Sequence, residues 1–158
     1  MNVALTQDAV LIVFALAMMV TDWRWRRIPN VVTYPTMVVG LVLAAFEAFP
    51  GELLKGGLLD HVVATIAILL FLFPLYSMRL MLAGDVKLLM GVGAIGGTAF
   101  LFWAFVYGSI IGGLVAIVVL TAGKLRGVGF REGLKAYIPY GVSLALGSLV
   151  ALAVGVAR

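Results

Sequence analysis

The stretch LAGDVKLLMGVGAIGGTAFLFWAFVYGSIIGGLVAIVVLTA, residues 82–122, decides the fold. After Lys87 no charged residue occurs until Lys124. As one straight helix, at about 1.5 Å per residue, it would overrun the roughly 30 Å hydrocarbon core of a bilayer. Gly96-Gly97-Thr98 is the natural break, and it divides the run into helices over 86–97 and 99–122. The first is short, about 18 Å at the usual rise. A short helix beside a Gly-containing loop that ends in Asp85 fits a segment that need not cross the whole bilayer.

The rest of the chain reads the same way. Of 158 residues, 64% are hydrophobic and only 11% charged, and mean hydropathy is +1.19, far from a soluble globular domain. Further apolar runs predict helices over 5–21, 31–49, 61–79 and 138–157. The fold class is therefore all-α, a polytopic membrane protein of about six transmembrane helices, with residues 1–158 forming a single membrane-embedded domain. The N-terminal run has Asp8 and no basic start, which predicts a retained first helix rather than a cleaved signal peptide. Asp8 is expected in the first turn of that helix, Asn30 as the N-cap of the second after Pro29, Asp60 as the cap of the third, and Phe49-Pro50-Gly51 as the end of the second. No cysteine is present, which excludes disulfides, thiolate metal sites and a Cys nucleophile.

Charge sets the orientation. Of eleven Lys and Arg residues, all but Lys55 and Arg158 fall after odd-numbered helices. Arg24, Arg26 and Arg27 follow the first, Arg79 and Lys87 the third, and Lys124, Arg126, Arg131 and Lys135 the fifth. The positive-inside rule then places both termini outside and this basic face in the cytoplasm. Asp22 and Asp85 fall on the same face, Asp22 directly after helix 1 and Asp85 just before helix 4. Carboxylates beside a bilayer are costly and point to function. The bland reading is that Asp22 pairs with Arg24 or Arg26 while Asp85 caps a helix. The chemical reading is a dyad with a water between the carboxyls, one ionised to take its proton and the other protonated to polarise a peptide carbonyl. Such a pair titrates as a unit.

Three local words carry a resemblance. D-W-R-W-R-R-I-P-N at 22–30, A-G-D-V-K-L-L at 83–89 and I-P-Y-G at 138–141 resemble, in order, segments of the type IV prepilin peptidases, whose second aspartate lies in a GxGD motif. The chain is most similar to the short TadV- or CpaA-like branch that processes Flp/Tad-type prepilins. The resemblance implies a membrane aspartyl endopeptidase of the bacterial inner membrane, with Asp22 and Asp85 catalytic. It would remove a short basic leader from a prepilin at the cytoplasmic face, using neither metal nor organic cofactor. Leu82 departs from the motif, standing where the family has its first Gly; Gly84 is kept and is expected to give the backbone a tight turn beside Asp85. Longer family members add a Cys-based metal region and often methylate the new N-terminus. N-methyltransferase activity is not supported here.

Other residues are weighed beside these. Lys87 either snorkels to headgroups or contacts dyad or substrate. Trp23 and Trp25, interleaved with arginines, read as interfacial anchors rather than as a nucleic-acid surface, and no nucleic-acid partner is expected. The basic face suits anionic membrane lipids but not a basic leader, which leaves Glu132 or lipid phosphate to receive it. His61 reads as a helix-start residue rather than a ligand or base. Gly93-x3-Gly97 and Gly108-x3-Gly112 predict close helix packing within the monomer. Pro29 and Asn30 belong to the first motif and are candidates for shaping the site; Pro139, Tyr140 and Gly141 form a hinge or a wall of the substrate groove. Two other functions compete: a small proton-coupled carrier, which would place its acids nearer the midplane and often in repeats, and a non-enzymatic membrane subunit of a pilus or secretion assembly with structural aspartates, which would tolerate Asp→Asn.

Overall fold

The computed structural model describes residues 2–47, 57–79, 81–125 and 140–156. These are all-helical, with no strand among the described residues. Helix α1 spans Val3–Trp25, α2 Asn30–Ala45 and α3 Leu58–Ser77. The long run forms Ala83–Leu125 and is broken where the sequence predicts, at Gly97, whose φ of 74° and ψ of −174° are not helical. Its arms are α4, residues 83–96, and α5, residues 98–125. The last helix, α6, spans Tyr140–Ala153. Three helices, Val3–Trp25, Leu58–Ser77 and the bent run Ala83–Ala122, are long and apolar enough to cross a membrane; α2 and α6 are shorter apolar helices.

Helix α4 is the axis. Val86, Leu88, Leu89, Val92, Ala94 and Ile95 are buried. Around it the other five form a ring: α1 meets α2, α2 meets α3, α3 meets α5 through the Phe71–Phe105 edge contact, α5 meets α6, and α6 returns to α1. Among apolar lipid tails, helices gain by packing closely rather than by hiding from water, so small residues sit where backbones cross. A Cβ on Gly40 would lie 2.6 Å from the Ala94 carbonyl oxygen, and one on Gly108 would lie 2.9 Å from Leu144 Cα. Gly112 faces Ser143, so the Gly108-x3-Gly112 pair packs within the monomer as expected. Gly93 packs on Ala64 and Gly97 on Asp60 and His61, so that pair also packs within the monomer, against α3, while Gly97 forms the break as well.

Several boundaries shift, with consequences. Helix α1 begins at Val3, which moves Asp8 beyond its first turn. It also runs on to Trp25, so Asp22 lies inside its last turn rather than after it, and the chain leaves through Arg26 in a left-handed conformation. Pro29, extended at φ −75° and ψ 129°, takes the N-cap of α2, and Asn30 is the first helical residue. Helix α4 begins at Ala83, which puts Asp85 within its first turn. Asp60 does not cap its own helix: its carboxylate accepts the Thr98 backbone N–H at 3.1 Å and the Thr98 hydroxyl, capping α5 across the break. Helix α2 ends earlier than the expected stop at Phe49-Pro50-Gly51: its last residue is Ala45, and Phe46 is its C-cap, with its N–H bonded back to the Leu43 carbonyl at 3.0 Å. Phe49-Pro50-Gly51 itself, Glu132 and Pro139 lie outside the described residues.

Candidate active site

Asp22 reaches the site from the buried face of α1, the same face as Leu11, Phe14 and Met18. Its residue is only 8% exposed. The carboxylate lies at the start of α6, where Oδ2 accepts the Val142 backbone N–H at 3.1 Å and the Gly141 N–H also points to it. Helix N-termini present unpaired N–H groups and a partial positive charge, so an anion fits there. The Arg26 charge acts on Asp22 from the other side.

Asp85, 4% exposed, arrives from the opposite direction. It occupies the first turn of α4, and its carboxyl takes a hydrogen bond from the Leu82 backbone N–H, the reach-back half of a capping box. The Leu82 carbonyl in turn accepts the Asp85 N–H at 3.1 Å. The two aspartates are close enough for the charge of Asp22 to act on Asp85. Both line one cleft of about 440 Å3, together with Arg26, Arg27, Pro29 and Leu82. Two helix starts, α4 and α6, thus hold the two carboxyls beside one solvent-sized space.

Ile28 sets the spacing, and its role is not visible from the sequence motifs alone. A Cβ added at Gly84 would lie 3.2 Å from Ile28 Cβ, and one at Gly141 would lie 3.1 Å from Ile28 Cδ1 and 2.7 Å from Asp22 Oδ2. Ile28 is wedged between the first turns of α4 and α6. The reason for Gly84 therefore differs from the expected tight turn. Gly84 is not among the residues with positive φ; what it supplies is room for Ile28.

The other candidates divide. Pro29 and Asn30 line the cleft. Lys87 joins two of the cleft's supporting helices. Its Nζ donates to Asn30 Oδ1 at 2.9 Å and sits 5.4 Å from the centre of the Tyr34 ring, tying α4 to the start of α2. Tyr140 opens α6 and is half exposed, with its ring toward Gly112, while the Gly141 backbone is at Asp22. Trp23 and Trp25 are exposed, with Arg24 over the Trp25 ring at 5.8 Å.

A second polar cluster lies at the far end of the bundle. Glu47 accepts from Gln7 and from the Gly57 N–H, the latter at 2.7 Å, and lies 3.5 Å from His61 Nε2. His61 Nδ1 is 3.0 Å from the Ala94 carbonyl, and Asp60 holds Thr98. His61 is therefore a buried cross-link between helices rather than only a helix-start residue. The sequence signal was present in Gln7, a buried amide inside an apolar run, and in Thr98 at the break. Among the described residues no group of three or more His, Asp and Glu side chains could hold a metal ion.

The chain has no significant match among curated proteins or solved structures. Residues 9–117 match the profile of the Type IV leader peptidase family, a span of well over half the chain that contains both Asp22 and Asp85. The chain belongs to the type IV leader peptidase family.

Proposed function

We propose that this protein is a membrane aspartyl endopeptidase that removes the short basic leader of type IV prepilins of the Flp/Tad type, with Asp22 and Asp85 as its catalytic pair. The observation that carries this reading is the pair itself: two buried carboxyls from distant helices lining one cleft. One carboxylate takes a proton from a water held between them as the water oxygen bonds to the peptide carbonyl carbon. The other carboxyl gives its proton to the carbonyl oxygen. Collapse of that intermediate breaks the C–N bond, and a proton returns to the leaving nitrogen. The pair is assigned one shared proton, with no choice between the residues. Cleft residues Leu82, Pro29 and Asn30 would border the bound peptide.

The orientation that suits this chemistry is N-out and C-out, with Asp22, Asp85, Arg26, Arg27 and Lys87 at the cytoplasmic face of a bacterial inner membrane. The whole chain, 1–158, would act as one domain of the TadV- or CpaA-like branch, cleaving without methylating. One observation favours a second reading: Asp22 and Asp85 each receive backbone N–H groups at a helix start, so both could be structural in a non-enzymatic assembly subunit. Co-expression with a Flp-type prepilin separates the two. The peptidase reading expects the wild type to shorten the precursor and Asp22→Asn or Asp85→Asn to leave it whole. A precursor left whole by the wild type, or shortened equally by the variants, contradicts it.

A further inference from the structure

We propose that the groove between α1 and α2 receives the hydrophobic helix of the substrate and delivers its N-terminal end to the aspartates. The inference rests on the peptidase reading and adds where the membrane-embedded part of the substrate lies.

On α1, Ala9, Val13, Ala17, Thr21 and Trp25 recur every fourth residue, a single helical stripe. The first three line an open groove of about 400 Å3 with Val32, Pro35 and Val39 of α2. Thr21 and Trp25 line the next opening along, of about 510 Å3, with Arg27 and Pro29. Arg27 and Pro29 also line the aspartate cleft. The stripe from Ala9 to Trp25 runs about 24 Å at the helical rise, most of the roughly 30 Å apolar core.

Three features select a helix as the occupant. The upper groove has no charged lining residue. Its α1 wall is Ala9, Val10, Val13, Phe14 and Ala17, an apolar wall with an alanine at each end where a second backbone can approach closely. Along the same stripe, the Thr21–Trp25 opening shares Arg27 and Pro29 with the aspartate cleft, so an occupant of the stripe has one terminus next to that cleft. A comparable apolar groove between α3 and α5, about 360 Å3 and lined by Phe71, Phe102 and Phe105, lacks that connection. It also includes Thr98, which belongs to the end of the bundle far from Asp22. An acyl chain could occupy either groove; a helix that must present its end to Asp22 and Asp85 fits only the first.

Direction follows as well. Asp22 is near the C-terminal end of α1, so a substrate helix starting at the cleft runs antiparallel to α1. The test uses the full chain, which has no native cysteine, carrying Asp85→Asn so that substrate is not consumed. Single cysteines replace Val13, Ala17 or, as controls, Phe102 and Leu82. The probe is a co-expressed Flp-type prepilin with one cysteine scanned along its hydrophobic helix, followed by oxidative cross-linking in membranes. Ala17→Cys is expected to join prepilin positions near the scissile bond. Val13→Cys should join positions about four residues further along, with Phe102→Cys at least about tenfold weaker. Cross-linking at Leu82→Cys alone overturns the groove and leaves the peptidase reading standing. Equal yields at Phe102→Cys, or Val13→Cys joining only a second copy of the protein, overturn it too. A protein that cuts no prepilin when wild type overturns the peptidase reading, and the groove falls with it.

Discussion

Asp22 Oδ2 accepts the Val142 backbone N–H at 3.1 Å, across 120 positions of sequence. One carboxylate thus closes the ring of helices from α1 to α6 and faces the cleft shared with Asp85. Its structural and chemical roles can be separated, because an amide can do the first and not the second.

Asp22→Asn keeps an oxygen that can accept the Val142 N–H, so the protein should insert and melt near wild type while failing to cleave. Asp22→Ala removes the acceptor and should also lose about 1 kcal/mol, the usual cost of a missing helix cap. Thermal melting of both variants in detergent checks this. Equal stability of the two would remove Asp22 from its capping role.

The glycines around Ile28 give a second contrast. Gly141→Ala would place a methyl 2.7 Å from Asp22 Oδ2, and Gly84→Leu would crowd Ile28 at 3.2 Å. Both should cut prepilin cleavage at least about tenfold, through displacement of the carboxyls rather than loss of a reacting group. Leu82→Gly should cleave near wild type. Leu82 is 70% exposed and precedes α4, where glycine costs only a few tenths of a kcal/mol. Gly84→Leu cutting normally would refute the role assigned to Ile28.

At the far end, Asp60→Ala should destabilise by about 1 kcal/mol, because Thr98 loses its cap at the break. Cleavage per folded molecule should stay close to wild type, since the cluster lies away from the aspartates. A variant that melts normally but no longer cleaves would tie the cluster to the chemistry instead.

Much of this architecture was legible in sequence because apolar length and glycine breaks are local signals. The break at Gly97 is one such case: no straight helix of that length fits the bilayer, and only glycine readily adopts its φ of 74°. The union of Asp22 with Asp85 was suggested by charge counting, which puts both on one face. What was not legible depends on partners distant in sequence. Asp60 could have capped its own helix, but Thr98 from the break competes for it. Asn30 had a capping side chain, yet Pro29 takes the N-cap and the Asn30 amide accepts from Lys87, 57 positions away. Ile28 looked like one more apolar residue until two helix starts closed around it.

Orientation has a simple test. Single cysteines introduced at Gly127 and at Leu59 should label from opposite sides, Gly127→Cys from the cytoplasm and Leu59→Cys from outside. Impermeant maleimide on intact cells reads this out. Labelling of Gly127→Cys from outside would overturn the topology and move the aspartates to the other face.

The central claim is that Asp22 and Asp85 act as one catalytic pair. It is tested most directly by the cleavage rate of purified, vesicle-reconstituted protein on a Flp-type prepilin, for wild type, Asp22→Asn, Asp85→Asn and the double variant. Each single variant is predicted to lose at least about a thousandfold, and the double variant is predicted to be no slower than the singles, because residues that act as a unit do not add. Cleavage above roughly a tenth of wild type in either single variant, or losses that multiply in the double, would contradict the pair.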